Sequence, residues 1–240
     1  MKNWDTLDAD RVKLMNKNFT KGRGGKSVDC VVLHHNAGVL TVDQIWQVWQ
    51  SRPASAHYQV QSDGIIGQLV WDDDTAHHAA NWDMNQRSIG VEVSNLAGAP
   101  GWPISAKALE EGAHLVGAIC YVKKLGRPEP GTTVRYHREF TGTSCPHHLA
   151  PDGKYHDQFI SRARHWYAVM NGDIIEHNEP EVIDVPENNT DQLILDQLTG
   201  PEGVDGPGWP QLGGRYLADA IAAIGAKLDV PGMYDPAADE

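Results

Sequence analysis

The chain predicts an α/β fold, on three observations. Short apolar runs of strand length, rich in β-branched residues, recur at 28–34, 56–61, 65–70, 88–93 and 133–136. Longer segments with helical spacing alternate with them, after Thr41, from Ser105 to about Leu125, and from Tyr155 to Met170. The first run, Val31-Val32-Leu33, stays apolar until His34-His35-Asn36, and Ala37-Gly38 then breaks it. That is the pattern of a buried strand delivering an imidazole to the end of a sheet.

Taken in order, residues 1–27 read as a surface arm with one short helix around Asp8–Asn16. Lys21-Gly-Arg-Gly-Gly-Lys26 reads as a mobile basic loop, since it lacks the Walker spacing and follows no strand. After the 28–34 strand, Thr41 caps a helix with Gln44 as its capping-box partner. Trp46 and Trp49 read as core on its broad apolar side. Ala56–Gln61 and Ile65–Val70 form a hairpin about Asp63-Gly64. Trp71-Asp72-Asp73-Asp74 reads as a solvated loop, because three adjacent strand residues cannot all face one cation. The connection 75–86 carries His77, His78, Asn81, Trp82 and Asn85, a dense polar and aromatic set where binding groups collect.

Ser88–Val93 is the next strand and places one carboxylate, Glu92, among apolar residues. The helix from Ser105 holds Cys120 in its apolar series, a small core residue, and ends before Gly126. His114 on that helix reads as a surface or core residue. Thr133–Tyr136 is a short strand ending at His137, and Pro146 suits the first turn of a helix after Cys145. The last helix of the main domain turns Phe159, Ile160, Ala163, Trp166 and Tyr167 inward.

The division that follows is a catalytic domain over 1–172 with its core at 28–170, a polar Pro-bearing linker over 173–190, and a small helical module over 191–240. Charge marks the same break. The net charge of −12 is −1 over 1–177 and −11 over 178–240. An acidic balance of this kind argues against nucleic-acid binding, which needs Lys and Arg on phosphates. It also counts against the nuclease reading that His34-His35-Asn36 would otherwise allow. Three cysteines cannot all pair, so a reduced thiol or a metal thiolate is favoured over a disulfide framework. The N-terminal residues have no apolar run of signal-peptide length and no segment is long enough to span a membrane. The expectation is synthesis in a cytoplasm without export signal and without membrane insertion.

Strand-end His34, strand-borne Glu92, and His137 with Cys145 seven residues beyond it make a candidate catalytic zinc site. Imidazole and thiolate suit zinc, and three protein ligands leave a position open. His-x₇-Cys alone is a weak signal, and no pair has zinc-finger spacing.

The segments VVLHHNAG, SAHYQVQSDGIIGQLV, TAHHAANW, NQRSIGVEVSN and YHREFTGTSCP, in that order over about Val28 to Tyr167, are together specific. They resemble the zinc-dependent N-acetylmuramoyl-L-alanine amidases of the peptidoglycan-recognition-protein and phage-lysozyme type. The resemblance implies a mixed, mostly parallel central sheet flanked by helices. It implies cleavage of the amide between the lactyl group of N-acetylmuramic acid and L-alanine of the stem peptide. It implies zinc ligands His34, His137 and Cys145, Glu92 activating the zinc-bound water, and His78, Trp82 and Asn85 along the substrate groove. Ala56 stands where some relatives carry a Tyr, and Thr143 where some carry a Lys. Both fit a glutamate-using branch in which Thr143 offers the carbonyl oxygen a hydrogen bond without a charge. His147 stands where Gly usually follows Cys-Pro.

The tail GPEGVDGPGWPQLGGRYLADAIAAIGAKLDVPG resembles C-terminal segments of lysins from phages of actinobacteria. With the missing export signal it implies a phage endolysin, released by a partner holin to act on bacterial peptidoglycan. Its tail would bind the wall or self-associate. The rivals are a peptidoglycan-binding module without activity, which would typically lose the metal thiolate, and a cysteine hydrolase using Cys145 and His137.

Overall fold

A computed structural model describes residues 2–173 of the 240. The linker and helical module expected after residue 173 lie outside the described residues. Eight strands and four α-helices follow one another: β1 (Arg11–Val12), β2 (Phe19–Thr20), β3 (Cys30–His35), α1 (Val42–Ser51), β4 (Tyr58–Val60), β5 (Ile66–Gln68), β6 (Thr75–Ala76), α2 (Trp82–Arg87), β7 (Ser88–Val93), α3 (Ala106–Val122), β8 (Val134–Tyr136) and α4 (His156–Met170).

Six strands form one sheet in the order β1-β5-β4-β7-β3-β8, while β2 and β6 pair separately. Every neighbouring pair of the large sheet is parallel except β4 with β5, the expected hairpin. The central strand β3 is buried along its whole length. That is why its sequence is a continuous apolar run and not an alternating one.

Alternation still sorts the two faces. Val31, Leu33, Tyr58, Ile89, Val91 and Val93 face one way and join α3 and α4 in the larger core, with Leu115, Ile119 and Phe159. Gly117 lets these two helices touch, since a Cβ there would lie 2.7 Å from the carbonyl oxygen of Ala163. Cys30, Val32 and His34 face the other way, where Met84 of α2 and Ala79 pack. On this side α1 presents Val42, Ile45 and Trp49 to Leu69, Val70 and Ala76. The start of α1 carries the expected capping box, with Thr41 Oγ1 accepting from Gln44 N–H and Gln44 Oε1 from Thr41 N–H. Ser105 caps α3 in the same way, accepting from Ala108 N–H.

Four local expectations are corrected. Asp8–Asn16 forms no helix. Arg11–Val12 adds a parallel strand at the sheet edge, Ile66 N–H donates to Asp10 Oδ2 at 2.9 Å, and Arg11 and Lys13 reach Asp43. Long-range pairing outweighs a weak local helix signal. The 21–26 loop is not free of the body. Arg23 is buried, and its guanidinium donates to the carbonyl oxygens of Asp72, Gln86 and Ser88 at 2.6–3.0 Å. The acidic triplet is only partly solvated. Asp74 accepts from Lys21 and Gly22 N–H, and Asp72 from Lys123 and the Tyr58 hydroxyl. After Cys145, Pro146 leads into a single 3-10 turn, His147–Leu149, in place of a longer helix.

Candidate metal centre and cleft

Parallel strands align their C-terminal ends, and open α/β sheets place their sites there. In this chain β3 and β7 run in register with His34 beside Glu92, and β4 brings Gln59 beside Glu92 on its other side. The three side chains therefore share one face and one row. Next to β3 on the opposite flank, β8 ends at Tyr136, and His137 begins the turn that follows.

The loop from His137 to Cys145 closes on itself. Arg138 N–H donates to the Cys145 carbonyl at 2.8 Å, which draws the two ends of the His-x₇-Cys segment together. Thr143 Oγ1 accepts from Cys145 N–H at 3.2 Å, and the Cys145 sulfur accepts from His35 N–H at 3.4 Å. The sulfur lies 3.8 Å from His34 Nδ1, and the His34 and His137 rings are 4.5 Å apart between centroids. The donor atoms of His34, His137 and Cys145 all fall within 4.8 Å of one another. Two neutral nitrogens and one sulfur at that spacing could hold a metal ion.

The electrostatics of the three groups fit such an ion. Burial holds His34 well below its ordinary pKa, helped by His78, His137 and His35. Burial also lowers His137, whose Nε2 is buried with no hydrogen-bond partner among the described residues. Cys145 is pushed the other way, up, by burial and then by Glu92. A catalytic thiol needs an environment that favours thiolate. This one opposes it, and a dication is what would hold the thiolate while using the orphaned nitrogen. A cysteine-nucleophile reading therefore has the wrong field around Cys145.

Glu92 is half-buried, and burial raises its carboxyl to about 7, against a hydrogen bond from Asn36 and, more weakly, the charge of Arg52. That bond, Asn36 Nδ2 to Glu92 Oε2, is 2.8 Å long. Asn36 is itself clamped by Gln59, whose Nε2 donates to Asn36 Oδ1 at 2.6 Å and whose Oε1 lies 3.0 Å from Asn36 Nδ2. Gln59 is fully buried. The carboxylate is thus oriented by a pair of amides that are themselves locked.

These groups line a cleft of about 230 Å³. Glu92, Thr143 and the three metal-binding candidates face it together, with Trp49 and Arg52 from the end of α1 on the opposite wall. Trp49 is both core, as expected, and cleft wall. Of the three residues expected along the groove, His78 lines the cleft. Asn85 is buried behind it and accepts from His78 N–H and Ala79 N–H at 3.1 and 2.7 Å, while Trp82 is half exposed against His77 outside the cleft. Asn36, Gln59 and Arg52 were not singled out from the sequence. His35 turns to the other face, as strand alternation requires, and meets Asn95, Trp102 and His147.

Comparison with known proteins gives a family and a fold. A family model described as N-acetylmuramoyl-L-alanine amidase matches residues 24–148, and one described as Rv3766 C-terminal domain matches residues 183–233. Endolysin 2638A of Staphylococcus phage 2638A is 30% identical over 161 residues, covering 59% of this chain. The matched part spans about a third of that relative's length. Among solved structures, Staphylococcus aureus hydrolase AmiA in complex with its ligand superposes with a TM-score of 0.56 at 18% identity, over 71% of this chain and 90% of that one. PlyL gives 0.52 at 18% identity, over 64% and 96%. At such identities these structures share the fold. Among the described residues no helix is long and apolar enough to cross a membrane.

Proposed function

The chain belongs to the N-acetylmuramoyl-L-alanine amidase family, and from that premise we propose that it hydrolyses the amide joining the lactyl group of N-acetylmuramic acid to L-alanine in bacterial peptidoglycan. The observation that carries this reading is the convergence of His34, His137 and Cys145 within 4.8 Å, in one cleft with Glu92. We assign zinc as the ion and these three side chains as its ligands. Zinc bound there supplies a Lewis acid that polarises the scissile carbonyl and lowers the pKa of water.

The chain's own residues do the rest. Glu92, whose carboxyl is raised by burial before any metal binds, takes a proton from the attacking water and returns it to the leaving amine of L-alanine. Asn36 and Gln59 hold the carboxylate in one orientation, so no rearrangement precedes the step. Thr143 uses its oxygen to accept from Cys145 N–H, which leaves its own proton to donate to the carbonyl oxygen of the substrate. Residues 1–172 make the catalytic unit in this reading, followed by a linker over 173–190 and a module over 191–240. That module binds the wall or pairs with a second copy. The endolysin relative supports a role in phage lysis, and only the lysin-like tail points to an actinobacterial host with release through a holin.

Mass spectrometry of digested cell wall tests the proposal. The expected products are intact stem peptides beginning with L-alanine, absent when a chelator is present and restored by zinc. New reducing sugar ends, or cleavage between peptide residues, would overturn the bond assignment. Binding without products would make the chain a recognition module.

A further inference from the structure

We propose that His78 is a positioning residue that fixes the proton of His34 on Nε2 and so leaves Nδ1 as the bare nitrogen turned towards Cys145. Its consequence for metal binding rests on the zinc reading above; the proton assignment does not.

The order of protons follows from one backbone carbonyl. Ser88 Oγ lies 2.6 Å from the Met84 carbonyl oxygen at the end of α2. A carbonyl only accepts, so the single hydroxyl proton of Ser88 is committed there. His78 Nε2 lies 3.2 Å from the same Oγ, which has only lone pairs left to offer. His78 Nε2 must therefore donate. A neutral imidazole carries one N–H, so His78 Nδ1 is an acceptor. It lies 3.0 Å from His34 Nε2, which must then be the donor. What remains on His34 is an unprotonated Nδ1, and that is the atom 3.8 Å from the Cys145 sulfur.

The relay is built to keep this order. Ser88 is fully buried, and His34 and His78 are nearly so, so water is not there to reverse a donor and an acceptor. Asn85 anchors the backbone of His78 and Ala79 with one side-chain oxygen. Gly90 leaves the ring its place, since a Cβ there would come within 2.7 Å of His78 Cγ. The two rings meet edge to face, with centroids 5.1 Å apart at 83°. The sequence's place for His78 along the groove is thus filled by a side chain whose polar atoms are spent on His34 and Ser88.

The full-length chain tests this in two ways. Long-range ¹H–¹⁵N NMR of the chelated protein should show His34 and His78 both protonated at Nε2. Detection of His34 protonated at Nδ1 would overturn the proposal without any variant being made. Zinc affinity, read by competition with a chromophoric chelator, should fall about 10–100-fold in His78→Leu, the usual cost of losing a ligand's hydrogen-bond partner. His78→Gln, whose amide oxygen can accept from His34, should recover most of that loss, and Ser88→Ala should leave His34 in a mixture of tautomers. Zinc affinity unchanged in His78→Leu, or equal losses in the Leu and Gln variants with both folded, would reduce His78 to packing. If the parent chain binds no zinc, the metal reading fails, and the NMR experiment still decides the proton order.

Discussion

Replacing Glu92 by Gln should cost turnover and return stability, and the second effect can be sized from the structure. The carboxyl moves from an ordinary 4.5 to about 7 on folding. That shift of about 2.5 units, at 1.36 kcal/mol each, is a ceiling of about 3 kcal/mol. The sign follows from proton binding. The folded carboxyl holds its proton more tightly than the unfolded one, so ionised Glu92 opposes folding. Nothing is lost below about pH 4.5, the cost grows between 4.5 and 7, and all of it is present above 7. Gln cannot ionise and avoids that cost. Its new amide N–H₂ adds a penalty of about 1–3 kcal/mol if left unpaired, but this offset does not change with pH. The quantity to measure is therefore the difference between variants at pH 8 minus the difference at pH 4.5. Urea unfolding of both chelated proteins should give a difference in favour of Gln, up to about 3 kcal/mol. Chelation matters, because a cation in the site would pull the carboxyl back down. With zinc restored, turnover of the Gln protein should fall about 10²-fold or more, the range of a lost general base, while metal content stays normal. A difference flat across pH would mean that Glu92 is solvated in the folded protein. Near-normal turnover in the zinc-loaded variant would move the base elsewhere.

Cys145→Ser should lose most of the metal, read by atomic emission, together with activity; a metal-free and fully active variant would remove the cysteine from the site. Gly117→Ala should destabilise despite the helix propensity of Ala, worth about 1 kcal/mol, because the new methyl meets the Ala163 carbonyl at 2.7 Å and neither helix backbone can yield cheaply. A loss of about 1–3 kcal/mol in the urea midpoint analysis is expected, and a gain would mean that α3 and α4 slide apart without cost. Truncation after Gly172 should still cut small soluble muropeptides while lysing intact walls less well. Loss of zinc on truncation would make the tail part of the catalytic unit.

What was legible in the sequence, and what was not, divides along the range of the interactions. The strands β3 and β7 could be read because each is a mostly apolar run, β3 ending in His34-His35 and β7 broken by Glu92, and α1 and α3 because their caps are local, Thr41 with Gln44 and Ser105 with Ala108. His34, Glu92, His137 and Cys145 were legible as residue types at strand ends or beside a proline. Their convergence could be expected from strand-end placement and from the family resemblance, although parallel register sets it across segments up to 111 residues apart. The supports stayed hidden. Asn36 follows two histidines and looks like a turn residue, Gln59 looks like a polar strand residue, and only the pairing of β3 and β4 with β7 puts Asn36 on the carboxylate and Gln59 behind Asn36. Arg23 sits between glycines in what reads as a free loop, yet its guanidinium is satisfied by three carbonyl oxygens from beyond residue 70. A buried guanidinium left without such partners would cost several kcal/mol. The loop is therefore held by long-range contacts, Arg23 on these carbonyls together with Lys21 and Gly22 N–H on Asp74, and not by its backbone propensity. That is also the logic of the site. Glu92 and His34 each come from a strand end, and each is held by a polar side chain from another segment, Asn36 for Glu92 and His78 for His34.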